Sequence, residues 1–212
     1  KRKKCLRYAT ICSNAGFLGN PIAQGVFGMM GLTLASIYLI PQRIMMWSEG
    51  VSVFTEAPTK KEMLKKIFTH PCIIACEIGI VLMLTGWRPP HFLEETITSV
   101  SNCNTAMSML VIGMILADAD PKTIIDKDVL FYTFIRLLII PFCVFIPCWL
   151  LHTDSLVMGV SVILAAMPAG ATTTILASKY DCEEEFSVKL VVFSTAASLI
   201  TTPLWNMILL KF

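Results

Sequence analysis

Charged residues are scarce in this sequence. Only 15% of the 212 residues are Asp, Glu, Lys or Arg, whereas 55% are hydrophobic. A water-soluble domain of this length cannot bury so many apolar side chains in one core. Most of the apolar residues fall in seven runs of roughly 17 to 25 residues, the length of helix that crosses about 30 Å of hydrocarbon. The composition therefore excludes an ordinary soluble domain and predicts an all-α integral membrane protein.

The motifs of common enzymes and metal sites are also missing. No HExxH, GxSxG or P-loop sequence occurs, and the eight cysteines form no CxxC pair. The three histidines are scattered, so no metal site and no cofactor are expected. The net charge of +2 comes from basic residues near the ends of the apolar runs, which gives no indication of a nucleic-acid partner. The sequence does not predict an enzyme.

The distribution of Lys and Arg predicts how the chain crosses the membrane. The predicted spans are 8–28, 30–54, 71–87, 97–117, 129–151, 155–178 and 186–210. Thirteen Lys and Arg fall on the side of Lys1, and only Arg88 and Lys211 fall on the other. Basic loops stay in the cytoplasm. We therefore expect a multi-pass protein of the cell membrane with residue 1 cytoplasmic and residue 212 extracytoplasmic, which argues against the usual seven-helix receptor.

Two of the runs are interrupted by proline and small residues, and this pattern predicts an inverted repeat. Pro21 and Pro168 each lie in a run that one last apolar run follows. We therefore divide the chain into the last two helices of a first repeat (1–54), a cytoplasmic linker (55–70) and a second five-helix repeat (71–212). Three further helices are expected before Lys1, which would give a 5+5 fold of ten helices, about seven of them in this chain. Ordinary proline kinks are the alternative.

The two interruptions are the predicted binding site. The first helix should divide near Gly19 to Pro21 and the second near Met167 to Gly170, because proline removes a backbone donor and clashes with the preceding turn. If the broken points cross, free N–H groups at helix amino ends converge on one place. Such a place binds anions, so a small carboxylate is the expected ligand.

Polar and charged side chains near the breaks are candidates for contact with that anion. Asn14, Ser13 and Asn20 flank the first break, and Thr172 follows the second. Their side chains either bind the ligand or satisfy loosened backbone groups. Arg43 either attracts the anion or forms a structural ion pair; Arg136 attracts it, pairs with a carboxylate or extends to the membrane interface. The full set of candidates is Ser13, Asn14, Gly19, Asn20, Pro21, Arg43, Arg136, Pro168, Ala169, Gly170 and Thr172.

The two interrupted runs contain the motifs SNAGFLGNP (13–21) and MPAGATTTILASKYD (167–181). These motifs resemble the auxin efflux carrier family, which includes plant PIN-FORMED carriers and bacterial malonate or malate carriers, and the resemblance extends from the family's fourth helix to its tenth. It implies a homodimer of ten-helix subunits with two inverted repeats and crossed broken helices, which moves organic anions by an elevator-like motion. It also implies that Asn14 is a carboxylate ligand, and that 71–87 and 97–117 form the scaffold while the other spans move.

One departure from the family pattern concerns the substrate. The plant carriers have Pro-Gln-Gly at the second crossover, where this chain has Pro168-Ala169-Gly170. An aromatic substrate like auxin is therefore in doubt. The sequence predicts a secondary transporter of small organic anions in the lipid bilayer; the alternative is a regulatory membrane module that senses a ligand without moving it. Whether transport couples to H⁺ or Na⁺ stays open.

Overall fold

The computed structural model describes residues 1–46, 50–54, 69, 71–117 and 125–209. This part of the chain is helical and contains no strand. Its α-helices, in chain order, are α1 (Arg2–Ile11), α2 (Asn20–Met45), α3 (Val51–Phe54), α4 (Pro71–Thr85), α5 (His91–Ala117), α6 (Lys127–Phe134), α7 (Ile140–Leu150), α8 (Ser155–Ala165), α9 (Thr172–Lys179) and α10 (Glu184–Leu209). The predicted linker, 55–70, lies outside the described residues except for Thr69.

Three segments of the described chain are long and apolar enough to cross a membrane. They are Ala15–Met45, which is interrupted at Gly28, Lys127–Leu150 and Glu184–Leu209, and α8 is apolar but shorter. Large apolar side chains remain exposed along the helices, as they are on a surface that faces lipid rather than water. The described structure therefore agrees with the prediction of an all-α membrane protein.

The first break lies earlier in the chain than predicted. Helix α1 ends at Ile11, Cys12 is extended with φ −110° and ψ 96°, and a π-helical turn, Ala15–Gly19, leads directly into α2. The chain therefore stays helical through Gly19 to Pro21, where the sequence predicted the division. The π-turn explains the difference. In a π-turn each N–H bonds to the carbonyl five residues earlier, and this turn comes just before Pro21, which has no N–H to donate, so the helix can continue through the proline. The proline begins a helix here rather than ending one.

A second proline follows a π-turn with the same spacing. Residues Ile135–Ile139 form a π-turn between α6 and α7, and Pro141 is the second residue of α7. Pro141 cannot donate to the carbonyl of Leu137, four residues earlier. The indole Nε1–H of Trp205 on α10 donates to that oxygen instead, at 2.9 Å. The tertiary structure thus satisfies the backbone group that this proline leaves free.

Gly28 separates the two parts of α2. Its φ of +67° and ψ of −159° are accessible essentially to glycine alone. Beyond Gly28 the chain folds back on itself. The close approach is seen at Gly31, where an added Cβ would lie 2.6 Å from the carbonyl oxygen of Ala23, eight residues earlier. The boundary between the predicted runs 8–28 and 30–54 falls at this glycine.

The second broken helix is interrupted where the sequence predicted. Helix α8 ends at Ala165 and α9 begins at Thr172, with Met167 to Gly170 between them. Residues at the breaks belong to two buried clusters of apolar side chains. Cys12 and Ala169 belong to the cluster of Tyr8, Tyr132 and Leu190, and Met167 belongs to the cluster of Ile163 and Trp205. The breaks are therefore held inside the packed part of the molecule, whereas most described side chains of α4 and α5 are exposed.

Candidate functional site

The two breaks touch through their backbones. Ser13 and Ala169 form an isolated antiparallel bridge. The N–H of Asn14 donates to the Pro168 carbonyl at 2.8 Å, and the N–H of Gly170 donates to the Cys12 carbonyl at 3.1 Å. Each break thus satisfies backbone groups that the other has lost from its helix, which lipid could not do. The pairing fixes the relative position of the two interruptions.

Side chains from two other helices support this pairing. The N–H of Ala169 donates to Ser194 Oγ on α10 at 3.1 Å, and that hydroxyl donates in turn to the Leu190 carbonyl at 2.6 Å. On the other side, Gln42 Nε2 on α2 donates to Ser13 Oγ at 2.9 Å and to the Ser13 carbonyl at 3.2 Å. The extended residues at both breaks are therefore anchored from α2 and α10.

Arg136 holds the carboxyl-terminal ends of the helices that stop at the breaks. Its Nε donates to the Met167 carbonyl just after α8, at 3.0 Å, and its Nη1 donates to the Thr10 carbonyl in the last turn of α1, at 3.1 Å. Only 5% of the residue is exposed. It therefore does not extend to the membrane interface, and no carboxylate of the described residues forms an ion pair with it.

A cavity of about 50 Å³ lies beside the paired breaks. A single water occupies about 10–15 Å³ of such a cavity, so there is room for a small solute. Both helical segments that start after the breaks reach it, the first with Gly16 and Phe17 and the second with Ala171 and Thr172. The lining residues are Ser13, Asn14, Gly16, Phe17, Leu39, Gln42, Arg43, Met46, Gly170, Ala171 and Thr172.

Two amides in this lining have atoms without a partner among the described residues. They are Nδ2 of Asn14, a residue that is 3% exposed, and Oε1 of Gln42. A buried polar group without a partner costs about 1–3 kcal/mol. Asn14 is therefore a lining residue with an unpartnered donor, whereas the Gln42 amide already uses its nitrogen to hold Ser13.

Arg43 brings a positive charge to the cavity, and Gly16 makes room for it. A Cβ added to Gly16 would lie 3.1 Å from Arg43 Nη2, so the guanidinium rests against the start of the π-turn. Arg43 is half-buried and forms no ion pair with a carboxylate of the described residues. Thr172, another lining residue, accepts a hydrogen bond at Oγ1 from Tyr8 Oη at 3.3 Å.

The structure brings five of the eleven predicted residues into the lining of one cavity. These five are Ser13, Asn14, Arg43, Gly170 and Thr172. The other six lie outside it. Pro168 and Ala169 are fully buried and contribute backbone bonds to the bridge region, and Gly19 packs closely against Leu164 of α8.

The remaining predicted residues have structural surroundings of their own. Asn20 and Pro21 begin α2, and Arg136 binds the helix ends described above. Sequence reasoning missed Gln42, which touches Ser13 directly. The signal that identifies it is its place between Pro41 and Arg43 in an apolar run, because an amide in that setting needs a buried partner.

The three long apolar helices of the described chain are those of an integral membrane protein. In a comparison with protein-family sequence models, the family described as membrane transport protein matches residues 57–206. The chain therefore belongs to this family, the auxin efflux carrier family that its two motifs resemble.

Several relatives are similar over most of the chain. An uncharacterized transporter of Methanothermobacter thermautotrophicus is 27% identical over 206 residues, which cover 96% of this chain and 67% of the relative. One of Escherichia coli K12 is 21% identical over 90% of this chain and 63% of the relative. Auxin efflux carrier component 8 of Arabidopsis thaliana is 23% identical over 68% of this chain and 41% of the relative. The chain thus spans about two thirds of the length of the first two.

Proposed function

We propose that the protein is a secondary carrier of small organic anions such as carboxylates, with the cavity beside the paired breaks as its binding site. The observation that carries the proposal is the composition of the lining. Among the described residues, the lining contains one cation, Arg43, and no carboxylate, and two helical segments begin beside it. Such a lining attracts an anion and disfavours a cation, since the amino ends of helices carry partial positive charge and free N–H groups.

The Asn14 amide supports a specific role in binding. Its Nδ2 has no partner among the described residues, and its backbone is fixed by the bond to Pro168. A carboxylate oxygen would satisfy this donor with a charge-assisted hydrogen bond. The small cavity volume and the alanine at position 169 favour a compact aliphatic acid over an auxin-like aromatic one.

We propose an elevator-type movement in which the two breaks travel together, within a homodimer of inverted-repeat subunits. The backbone bonds between Cys12–Asn14 and Pro168–Gly170 support this, because they join the two breaks into one unit. The family membership supports it too, and the orientation with residue 1 in the cytoplasm follows from the positive-inside bias.

Counterflow into proteoliposomes tests the proposed function. Vesicles loaded with unlabelled malonate should accumulate radiolabelled malonate from outside, and vesicles without protein should not. A ligand-sensing module with the same cavity would bind malonate, seen as thermal stabilisation, but would give no counterflow. Stabilisation without counterflow, for malonate and for a panel of other small mono- and dicarboxylates, would contradict the carrier function.

A cross-link tests the elevator movement separately. Ser13 and Ala169 are flanked by the two bridge bonds, and such antiparallel pairs have Cα atoms about 4.5 Å apart, within the range of a disulfide. If the breaks move as one unit, oxidised Ser13→Cys/Ala169→Cys should retain the counterflow of its reduced form. Loss of counterflow on oxidation, restored by reductant and absent from each single variant, would mean that the breaks separate during transport.

Arg43→Gln tests the charge of the cavity. The variant removes the cation from the lining and leaves a shorter, neutral side chain that can still form hydrogen bonds. We expect weaker binding of all carboxylates, with a larger loss for dianions than for monoanions, measured as the shift in half-saturating concentration in counterflow. Equal affinities in the variant and the wild type would place the anion away from Arg43.

A further inference from the structure

Arg136 is a buried cation whose hydrogen bonds go to carbonyl oxygens of two different broken helices. It donates to Thr10 O in the last turn of α1 and to Met167 O just after α8. It does not line the cavity, so its charge is not offered directly to a ligand there. The residue thus connects the two helices that end at the breaks, whereas the cavity lies at the two segments that begin after them.

Carbonyl oxygens at helix carboxyl ends carry partial negative charge and normally need donors. When the carboxyl ends of two helices lie close together, their partial negative charges repel each other, and a cation between them stabilises the arrangement. We propose that Arg136 is a positioning residue that supplies this cation from the chain itself and thereby keeps the two breaks paired. The expected effect of Arg136 on transport rests on the proposed carrier function. Its expected effect on the pairing of the breaks does not depend on that function.

The local structure of α6 and α7 explains how the guanidinium reaches both oxygens. Arg136 is the second residue of the π-turn Ile135–Ile139, whose extra residue per turn changes the direction of the side chain relative to an α-helix. The planar guanidinium offers donors on Nε and Nη1 at a fixed angle, so it binds two separate carbonyls at once. A lysine has one flexible ammonium and matches this geometry less well.

A purely structural role in packing predicts something different. Deleting a side chain from an apolar core lowers stability in general, and an added ion does not restore it. A guanidinium that holds two carbonyls can instead be replaced by free guanidinium in a variant that leaves the space empty. The decisive measurement is therefore the rescue of Arg136→Ala, and the natural readouts are the amides of Asn14 and Gly170, which form the bridge bonds.

The experiment compares wild type, Arg136→Ala, Arg136→Lys and Arg88→Ala in nanodiscs. Arg88 is exposed, so its variant is a control for the loss of one positive charge. Hydrogen–deuterium exchange should be at least about tenfold faster at Asn14 and Gly170 in Arg136→Ala, since two charge-assisted hydrogen bonds are lost. Arg136→Lys should be intermediate and Arg88→Ala unchanged. Low-millimolar guanidinium chloride should slow the exchange in Arg136→Ala, and sodium chloride should not.

Malonate counterflow is the second readout, with the same variants and additions. It should fall at least about tenfold in Arg136→Ala and recover in part with guanidinium. Wild-type exchange rates at the bridge in folded Arg136→Ala, or equal recovery with sodium chloride, would overturn the proposal. If wild type itself shows no counterflow, the carrier function fails while the exchange result still decides the role of Arg136. If Arg136→Ala does not fold, Arg136→Gln replaces it, since this variant also removes the charge; wild-type exchange at the bridge in Arg136→Gln overturns the proposal and faster exchange supports it.

Discussion

Replacing Asn14 with alanine should leave the stability of the free protein unchanged or raise it, whereas it should lower the affinity for an anion. The variant therefore separates binding from stability. In the free protein Asn14 Nδ2 is buried without a partner among the described residues, a situation that costs about 1–3 kcal/mol. Removing the amide relieves that cost, so the unliganded variant should be as stable as the wild type or more stable. The backbone bond from Asn14 N–H to the Pro168 carbonyl is kept by alanine.

In the complex with an anion, the same substitution removes a hydrogen bond to a charged group. Such a bond contributes about 1.5–3 kcal/mol, which corresponds to a loss of roughly ten- to a hundredfold in affinity. A ligand present at 100 times its Kd stabilises the wild type by about 2.7 kcal/mol. In a variant that binds about thirtyfold more weakly, the same concentration stabilises by only about 0.9 kcal/mol.

Thermal unfolding with and without malonate measures both quantities in one assay. The expected result for Asn14→Ala is an unchanged or raised melting temperature without ligand and a much smaller rise with ligand. Asn206→Ala is the matched control, since Asn206 Oδ1 is also buried without a partner but lies near the end of α10, away from the cavity. A full ligand response in Asn14→Ala would refute the proposed contact, and a lowered melting temperature without ligand would refute the reasoning about the free donor.

Two further predictions concern the packing of the breaks. Ser194→Ala should lower stability by about 1–3 kcal/mol, because the Ala169 N–H loses its partner, whereas Ser198→Ala should change it little, since Ser198 bonds only within its own helix. Gly19→Val should lower stability and counterflow, because a Cβ there would lie 2.6 Å from Leu164 Cδ2, whereas Gly25→Val meets nothing within 4 Å. Thermal unfolding measures all four variants, and equal effects within either pair would contradict the contacts.

Apolar runs and prolines predicted the helical membrane architecture well, because both act through local physical chemistry. The interruption of the second broken helix and the boundary at Gly28 follow from proline and glycine in the sequence itself. The first break was placed wrongly, at Gly19 to Pro21 instead of Cys12 to Asn14. A proline shows that a backbone bond is missing nearby, but whether the helix breaks or widens into a π-turn depends on packing that local sequence does not encode.

The candidate site was predictable only for residues whose type is unusual in an apolar run. Asn14 and Arg43 stand out for that reason, and both line the cavity. Arg136 stood out equally, yet its partners are backbone carbonyls from residues 126 and 31 positions away. Carbonyl oxygens belong to every residue, so no sequence pattern marks the ones that a distant arginine will reach. Gln42 was missed because its role depends on the position of Ser13 across the fold.

The arrangement of the breaks links the proposed anion site to Arg136 through helix polarity. Each broken helix has one half that ends and one half that begins at the break, so pairing the breaks necessarily gathers ends of both signs. The positive ends adjoin the cavity with Arg43, and the negative ends meet the Arg136 guanidinium. The amino ends of the helical segments beside the cavity would repel a cation there. An anion beside Arg136 would have to displace the hydrogen bonds that the guanidinium makes to the two carbonyl oxygens. The paired breaks therefore have a defined polarity, and this polarity supports the proposal of an anion as the ligand on the cavity side.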